Sequence, residues 1–354
     1  MQGIGWWSAA VLSAAVGVAG CGGAISSTEV GRANALDERG DTLVPLLRVR
    51  PQDTDGEIRD PRWQSEHHVW LDRTVEHREK LFVHLPGQNN APSQFSYLAR
   101  EAAQLGYHVI VLMYPNTVGV GGGAASICKA NKDGKVDEVC QENVRLQVLD
   151  GQVRSPPVPG LTEAEGIYNR LTKLLVYLKY NRPEEEKWSK YLDGDAPDSK
   201  LNWKKIVISG FSYGGSEAAL IAQFHRVHRV TLFAAPRDGF GVVPSAWVAP
   251  GKTRANRYYG LVHDQDPLAK LTLASWDKLG MSRFGEAISE ELGAAAFGET
   301  HMLRTNRLPS TGQFANAHGS VCNDELTPLE PDSTTPQLRT AWRYMLGAEA
   351  EEDE

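Results

Sequence analysis

Ile206-Val207-Ile208-Ser209-Gly210-Phe211-Ser212-Tyr213-Gly214-Gly215-Ser216-Glu217-Ala218-Ala219-Leu220-Ile221 is the stretch that decides the fold. Its first half is a β-branched apolar run, and a strand is predicted over Lys205–Phe211. Its second half is rich in Ala, Leu and Ile, and a helix is predicted from Tyr213 to about Phe224. Between them Gly210-Phe211-Ser212-Tyr213-Gly214 reads G-x-S-x-G. A tight strand-to-helix turn holds the central Ser in a strained conformation with its hydroxyl exposed. Glycines are needed on either side where neighbouring backbone packs too closely for a Cβ. The helix N-terminus behind Ser212 favours negative charge developing there. The competing reading is a chance match in a Gly-rich chain, and the strand and helix on its flanks speak against it.

Outward from this turn the same alternation continues. Strands are predicted at His68–Leu71, Leu81–Leu85, His108–Met113, Arg229–Ala234 and Tyr258–Val262. Helices are predicted at Phe95–Leu105, Glu163–Tyr180, Leu268–Leu279 and Pro336–Leu346. Alternation of this kind means a mostly parallel central sheet with helices on both faces, an α/β architecture. Residues 116–160 read as a long irregular insert, rich in Gly and Pro, that holds Cys128 and Cys140. A bridge between those two would close a loop of about 13 residues and stabilise by roughly 3 kcal/mol in the loop-entropy picture. The residues alone leave other pairings with Cys322 open.

The 354 residues carry a net charge of −7, with 41% hydrophobic and 23% charged side chains. That suits a globular chain with a sizeable core, and without a basic excess nucleic acid is not an expected partner. Ile4–Ala19 is uncharged and apolar and is followed by Gly20-Cys21, which reads as a secretory signal over 1–20. Small residues before a Cys resemble the bacterial lipobox, which implies cleavage before Cys21 and a lipid on its thiol. No Lys or Arg precedes the apolar run, a departure from that pattern that leaves plain secretion or a short anchor as alternatives. The expected organisation is a signal at 1–20, a polar tether at 21–60, one domain at 61–347 and an acidic tail at 348–354. The expected location is the bacterial cell envelope or the exterior, with the membrane reached only through a lipid at Cys21.

Leu85-Pro86-Gly87, Tyr114-Pro115-Asn116, the Cys128/Cys140 pair, the elbow at Ser212 and the segment Asn316-Ala317-His318-Gly319-Ser320 together carry a family resemblance. Residues 78–346 resemble α/β-hydrolases of the esterase/lipase branch, in particular a group of uncharacterised secreted bacterial members. The resemblance implies the α/β-hydrolase fold and a Ser–acid–His triad in that chain order. Ser212 is then the nucleophile. Of the His residues after it, His225, His228, His263, His301 and His318, the last lies in a loop similar to the family's histidine loop and becomes the base. Asp266, in His263-Asp264-Gln265-Asp266-Pro267, matches the acid best, with Asp264 and Asp238 as competitors. Either Asp of that pair could instead cap the helix that follows. The oxyanion donors are expected to be the backbone N–H groups of Tyr213 and, by analogy of Leu-Pro-Gly to the family's His-Gly turn, Gln88, with Gly87 as the alternative.

The implied activity is hydrolysis of a small-molecule carboxylic ester by an exported serine esterase, without cofactor or metal. An acyltransferase or peptidase with the same triad, and a silent binding protein on the same scaffold, are the rivals. Weaker patterns fail on context. Gly119–Ala124 lacks the strand and helix of a dinucleotide fingerprint. Lys129–Cys140 lacks the acidic residues a calcium loop needs at its ends. His67-His68 has no further ligands at metal spacing.

Overall fold

The computed structural model describes residues 46–121, 126–195 and 199–348. The expected signal segment, Cys21 and the acidic tail from residue 349 lie outside the described residues.

The fold is α/β, with one sheet of nine strands among the described residues. In chain order these are β1 (Leu46–Val49), β2 (His67–Trp70), β3 (Leu81–Leu85), β4 (His108–Val111), β5 (Ile206–Phe211), β6 (Arg229–Phe233), β7 (Tyr258–His263), β8 (Ile288–Ser289) and β9 (Met302–Thr305). Their order across the sheet is β1-β2-β4-β3-β5-β6-β7-β9-β8. The strands from β4 to β8 are parallel, and β2 runs antiparallel to both β4 and β1. The principal helices are α1 (Ser96–Gln104), α2 (Glu138–Asp150), α3 (Ile167–Asn181), α4 (Tyr213–Phe224), α5 (Ala269–Lys278) and α6 (Arg339–Met345). β3 and β5 are buried at every position, as expected of central strands with both faces covered.

Two expectations need correction. The tether was expected to reach residue 60, but residues 46–60 are part of the folded body. β1 pairs with β2 over four residues, and Ile58 is fully buried. Glu165 Oε1 accepts from the backbone N–H groups of both Arg59 and Asp60, each at 2.7 Å. A polar composition hid this because the segment is ordered by partners outside it, β2 for its first residues and Glu165 for its last.

The second correction concerns the irregular insert at 116–160. It contains α2, thirteen residues long. No apolar stripe announced it, because the helix buries Gln141, Arg145 and Gln147 alongside Val144, Val148 and Leu149. The signals it does carry are at its ends. The Asp137 side chain accepts from the Val139 N–H, and Gly151 closes the helix at φ 73°. A disulfide joins Cys128 to Cys140 in the first turn of α2, and Cys322 is buried as a free thiol.

Candidate active site

The turn between β5 and α4 is built by contacts that exclude side chains. A Cβ on Gly210 would lie 2.2 Å from the Gly214 carbonyl oxygen, and one on Gly214 would lie 2.1 Å from that of Leu85. These approaches lie well inside van der Waals range, so both positions require glycine. Ser212 sits at φ 52°, ψ −112°, outside the conformations a side-chain-bearing residue ordinarily takes. Its N–H donates to the Phe233 carbonyl at the end of β6, which fixes the turn onto the sheet.

His318 lies in a short helical turn, Ala317–Ser320, after β9. Its Nε2 is 2.9 Å from Ser212 Oγ, and its Nδ1 is 2.6 Å from Asp266 Oδ2. These partners assign the tautomer with hydrogen on Nδ1 and the Nε2 lone pair facing the serine. Asp324 ties the histidine segment to the scaffold by accepting from the N–H groups of Ser96 and Tyr97 at the start of α1. The Phe211 ring covers the imidazole at 4.9 Å between centroids.

Asp266 makes one contact ahead of the following helix and one to His318. Its Oδ1 accepts from the Leu268 N–H at 2.9 Å, just before α5, and its Oδ2 faces His318. Burial works to raise its pKa, but the hydrogen bond and charge of His318, with help from the Leu268 N–H and Arg237, hold the carboxyl below its ordinary value. Burial lowers the pKa of His318, its hydrogen bond to the Asp266 carboxylate opposes that, and the Arg237 charge adds to the lowering. The competing acids are placed elsewhere. Asp264 is 3.4 Å from Arg304, and Asp238 is bound to Arg145.

The remaining His residues that follow Ser212 also have other surroundings. His225 stacks on Trp203 and meets the Tyr168 hydroxyl. His228 lies in a basic cleft with Lys204, Arg226, Arg254 and Arg257. The His263 Nε2 faces the Arg307 carbonyl, and His301 is sandwiched by Tyr259 and Phe284.

The two expected oxyanion donors come from segments in direct contact. Tyr213 opens α4, where backbone N–H groups have no carbonyl one turn back. The close approach of Gly214 to the Leu85 and Pro86 carbonyl oxygens brings the turn that contains Gly87 and Gln88 against the elbow. The Tyr114-Pro115-Asn116 motif latches that turn. The Tyr114 hydroxyl donates to the Pro86 carbonyl at 2.7 Å, and the Asn116 amide donates to those of Gly87 and Asn90, each at 2.8 Å.

Three charged residues escaped the sequence reading. Arg145, on α2, donates to both oxygens of Asp238 and, at 2.8 Å, to Glu217 Oε1 on α4. Its guanidinium also lies over the Tyr213 ring at 4.6 Å. Burial pushes the Glu217 carboxyl up to about 8 against the pull of Arg145. This buried cluster lies directly behind the elbow. Arg237 lies in front of it: its Nη1 is 3.2 Å from Ser212 Oγ and 2.5 Å from His318 Nε2. The available signal was position, since Arg237 follows the end of β6 at the same edge of the sheet as Ser212.

No protein-family model and no curated protein matches this chain. Among solved structures it is similar to the esterase Est2 of Thermogutta terrifontis, with TM-score 0.43 and 12% identity over 87% of this chain and 95% of that one. It is similar to a bacterial heroin esterase, with TM-score 0.39 and 13% identity over 86% and 85% of the two chains. It is also similar to an S-formylglutathione hydrolase of Agrobacterium tumefaciens, with TM-score 0.35 and 16% identity over 74% and 85%. The strand order, the parallel run from β4 to β8 and the elbow after β5 define an α/β-hydrolase fold.

Proposed function

We propose that this protein is a serine hydrolase that cleaves a carboxylic ester through an acyl-enzyme on Ser212. The observation that carries this reading is the continuous line Ser212 Oγ–His318 Nε2, 2.9 Å, and His318 Nδ1–Asp266 Oδ2, 2.6 Å, at a strained strand-to-helix turn. In this reading Ser212 Oγ attacks the ester carbonyl while its proton passes to His318 Nε2. Asp266 holds the imidazole by its Nδ1–H and stabilises the imidazolium. The tetrahedral oxyanion is held by the N–H groups of Tyr213 and Gln88, each donor contributing about 3 kcal/mol at the transition state. Collapse expels the alkoxide, which takes the proton from His318 and leaves as the alcohol. Water then adds to the acyl-enzyme with the same base and releases the acid.

A fluorophosphonate probe tests this directly. Wild type is expected to label and Ser212→Ala to remain unlabelled; absence of label on folded wild type sinks the reading. Product analysis with matched ester and amide substrates separates esterase from peptidase. Export and lipid attachment at Cys21 belong to the same proposal. Among the described residues no helix is long and apolar enough to cross a membrane, and the Cys128–Cys140 bridge is compatible with an oxidising compartment. Palmitate incorporation that persists in Cys21→Ser would refute the lipid anchor.

A further inference from the structure

Arg237 presents a guanidinium to the reacting groups without a carboxylate of its own. Among the described residues no Asp or Glu oxygen lies within ion-pair distance of it. Its guanidinium instead meets Ser212 Oγ at 3.2 Å and the His318 ring, at 2.5 Å from Nε2 and 3.3 Å from Nδ1. The carboxylates whose charge reaches it, Asp266 and Asp238, are already engaged. Asp266 binds His318 and the Leu268 N–H, and Asp238 binds Arg145 and the Trp247 indole. Arg145, whose charge also reaches Arg237, shows what a buried guanidinium ordinarily has, with two carboxylates around it.

This arrangement opposes the chemistry unless a further anion arrives. The Arg237 N–H is directed at the Nε2 lone pair, which must accept the proton of Ser212. Once the proton has moved, an imidazolium would stand against an uncompensated guanidinium, and like charges in contact disfavour that state. An anion bound to the outer N–H groups of Arg237 would draw the guanidinium off Nε2 and cancel its charge. The planar fork of a guanidinium matches a carboxylate.

We propose that Arg237 is the receptor for a free carboxylate on the substrate. The preferred ester is then one in which a carboxylate lies a short spacer from the scissile carbonyl, as in the monoester of a short dicarboxylic acid. The inference rests on the serine-hydrolase reading and deepens it to a substrate class.

The test compares para-nitrophenyl hemisuccinate with para-nitrophenyl butyrate, a neutral ester of the same acyl chain length. Wild type is expected to favour the hemisuccinate in kcat/KM by about tenfold to a hundredfold, the range of one charge-assisted hydrogen bond. Arg237→Gln is expected to erase that preference, and Arg237→Lys, which keeps the charge and loses the fork, to retain part of it. The charged groups facing His318 are Asp266 and Arg237. Removing the cation therefore raises the His318 pKa, and the acid limb of the butyrate profile moves to higher pH in Arg237→Gln. Equal kcat/KM for the two esters in wild type, or a preference that survives in Arg237→Gln, overturns the proposal and leaves the hydrolase reading intact.

Calorimetry with succinate on Ser212→Ala reads the anion site without turnover. Binding that is lost in Ser212→Ala/Arg237→Gln supports the site even if neither ester is hydrolysed. No binding overturns it, and tighter binding of inorganic phosphate overturns the carboxylate assignment.

Discussion

The loops after β6 and β7 leave neighbouring parallel strands, and each buries an aspartate: Asp238 after the first, Asp266 after the second. Their surroundings separate them. Asp238 is saturated by the Arg145 guanidinium on both oxygens and by the Trp247 indole N–H at 3.0 Å. Asp266 spends one oxygen on the Leu268 N–H and keeps the other for His318. A carboxylate held by a guanidinium cannot orient an imidazole, so the same residue type at equivalent strand ends is a structural counter-ion in one loop and the partner of the candidate base in the other. The arginines divide in the same way. Arg145 is consumed inside the scaffold, and Arg237 is left facing the serine.

Substituting both aspartates is the sharpest way to break this comparison. Asp266→Asn removes the charge that supports the imidazolium and permits the wrong tautomer. Steady-state ester hydrolysis is expected to fall about 10⁴-fold in kcat, while the urea midpoint moves little. Asp238→Asn is expected to do the reverse. It leaves Arg145 with one of its two buried carboxylate partners, and urea unfolding should show a loss of up to about 3–5 kcal/mol, the range for breaking a buried pair. Turnover per active site, counted by phosphonate titration, should stay within a few-fold of wild type. A large loss of kcat in Asp238→Asn with stability retained would exchange the two roles. Asp264→Asn is the control for both. Its partner Arg304 is 3.4 Å away and both side chains are about one-third exposed, so stability should change by less than about 0.5 kcal/mol and kcat should be unaffected.

Some of this molecule could be read locally. The elbow was legible because each part of its signal lies within about a dozen residues: the apolar run of β5, the glycines where backbone meets backbone, and the helix that follows. His318 was legible through the small polar loop around it and its place after the apolar residues of β9. Asp266 could be ranked but not separated from Asp264 and Asp238 by sequence. α2 was hidden because Gln141, Arg145 and Gln147 are buried by partners outside the helix, and that burial erases the apolar stripe by which a helix is usually found. β1 was hidden because its order comes from pairing with β2.

By itself, then, the sequence determined the α/β alternation, the strained serine between β5 and α4, and the histidine segment, because apolar periodicity and glycine placement act over one or two turns of chain. Tertiary structure alone decided which aspartate faces His318, across 52 residues, and that Arg145 meets Asp238, across 93. It also left Arg237 against Ser212 and His318 with no carboxylate in ion-pair contact among the described residues. Those outcomes depend on which charges converge when distant loops are packed against one edge of the sheet, and the energy of a buried charge is set by its neighbours in space, wherever they lie along the chain.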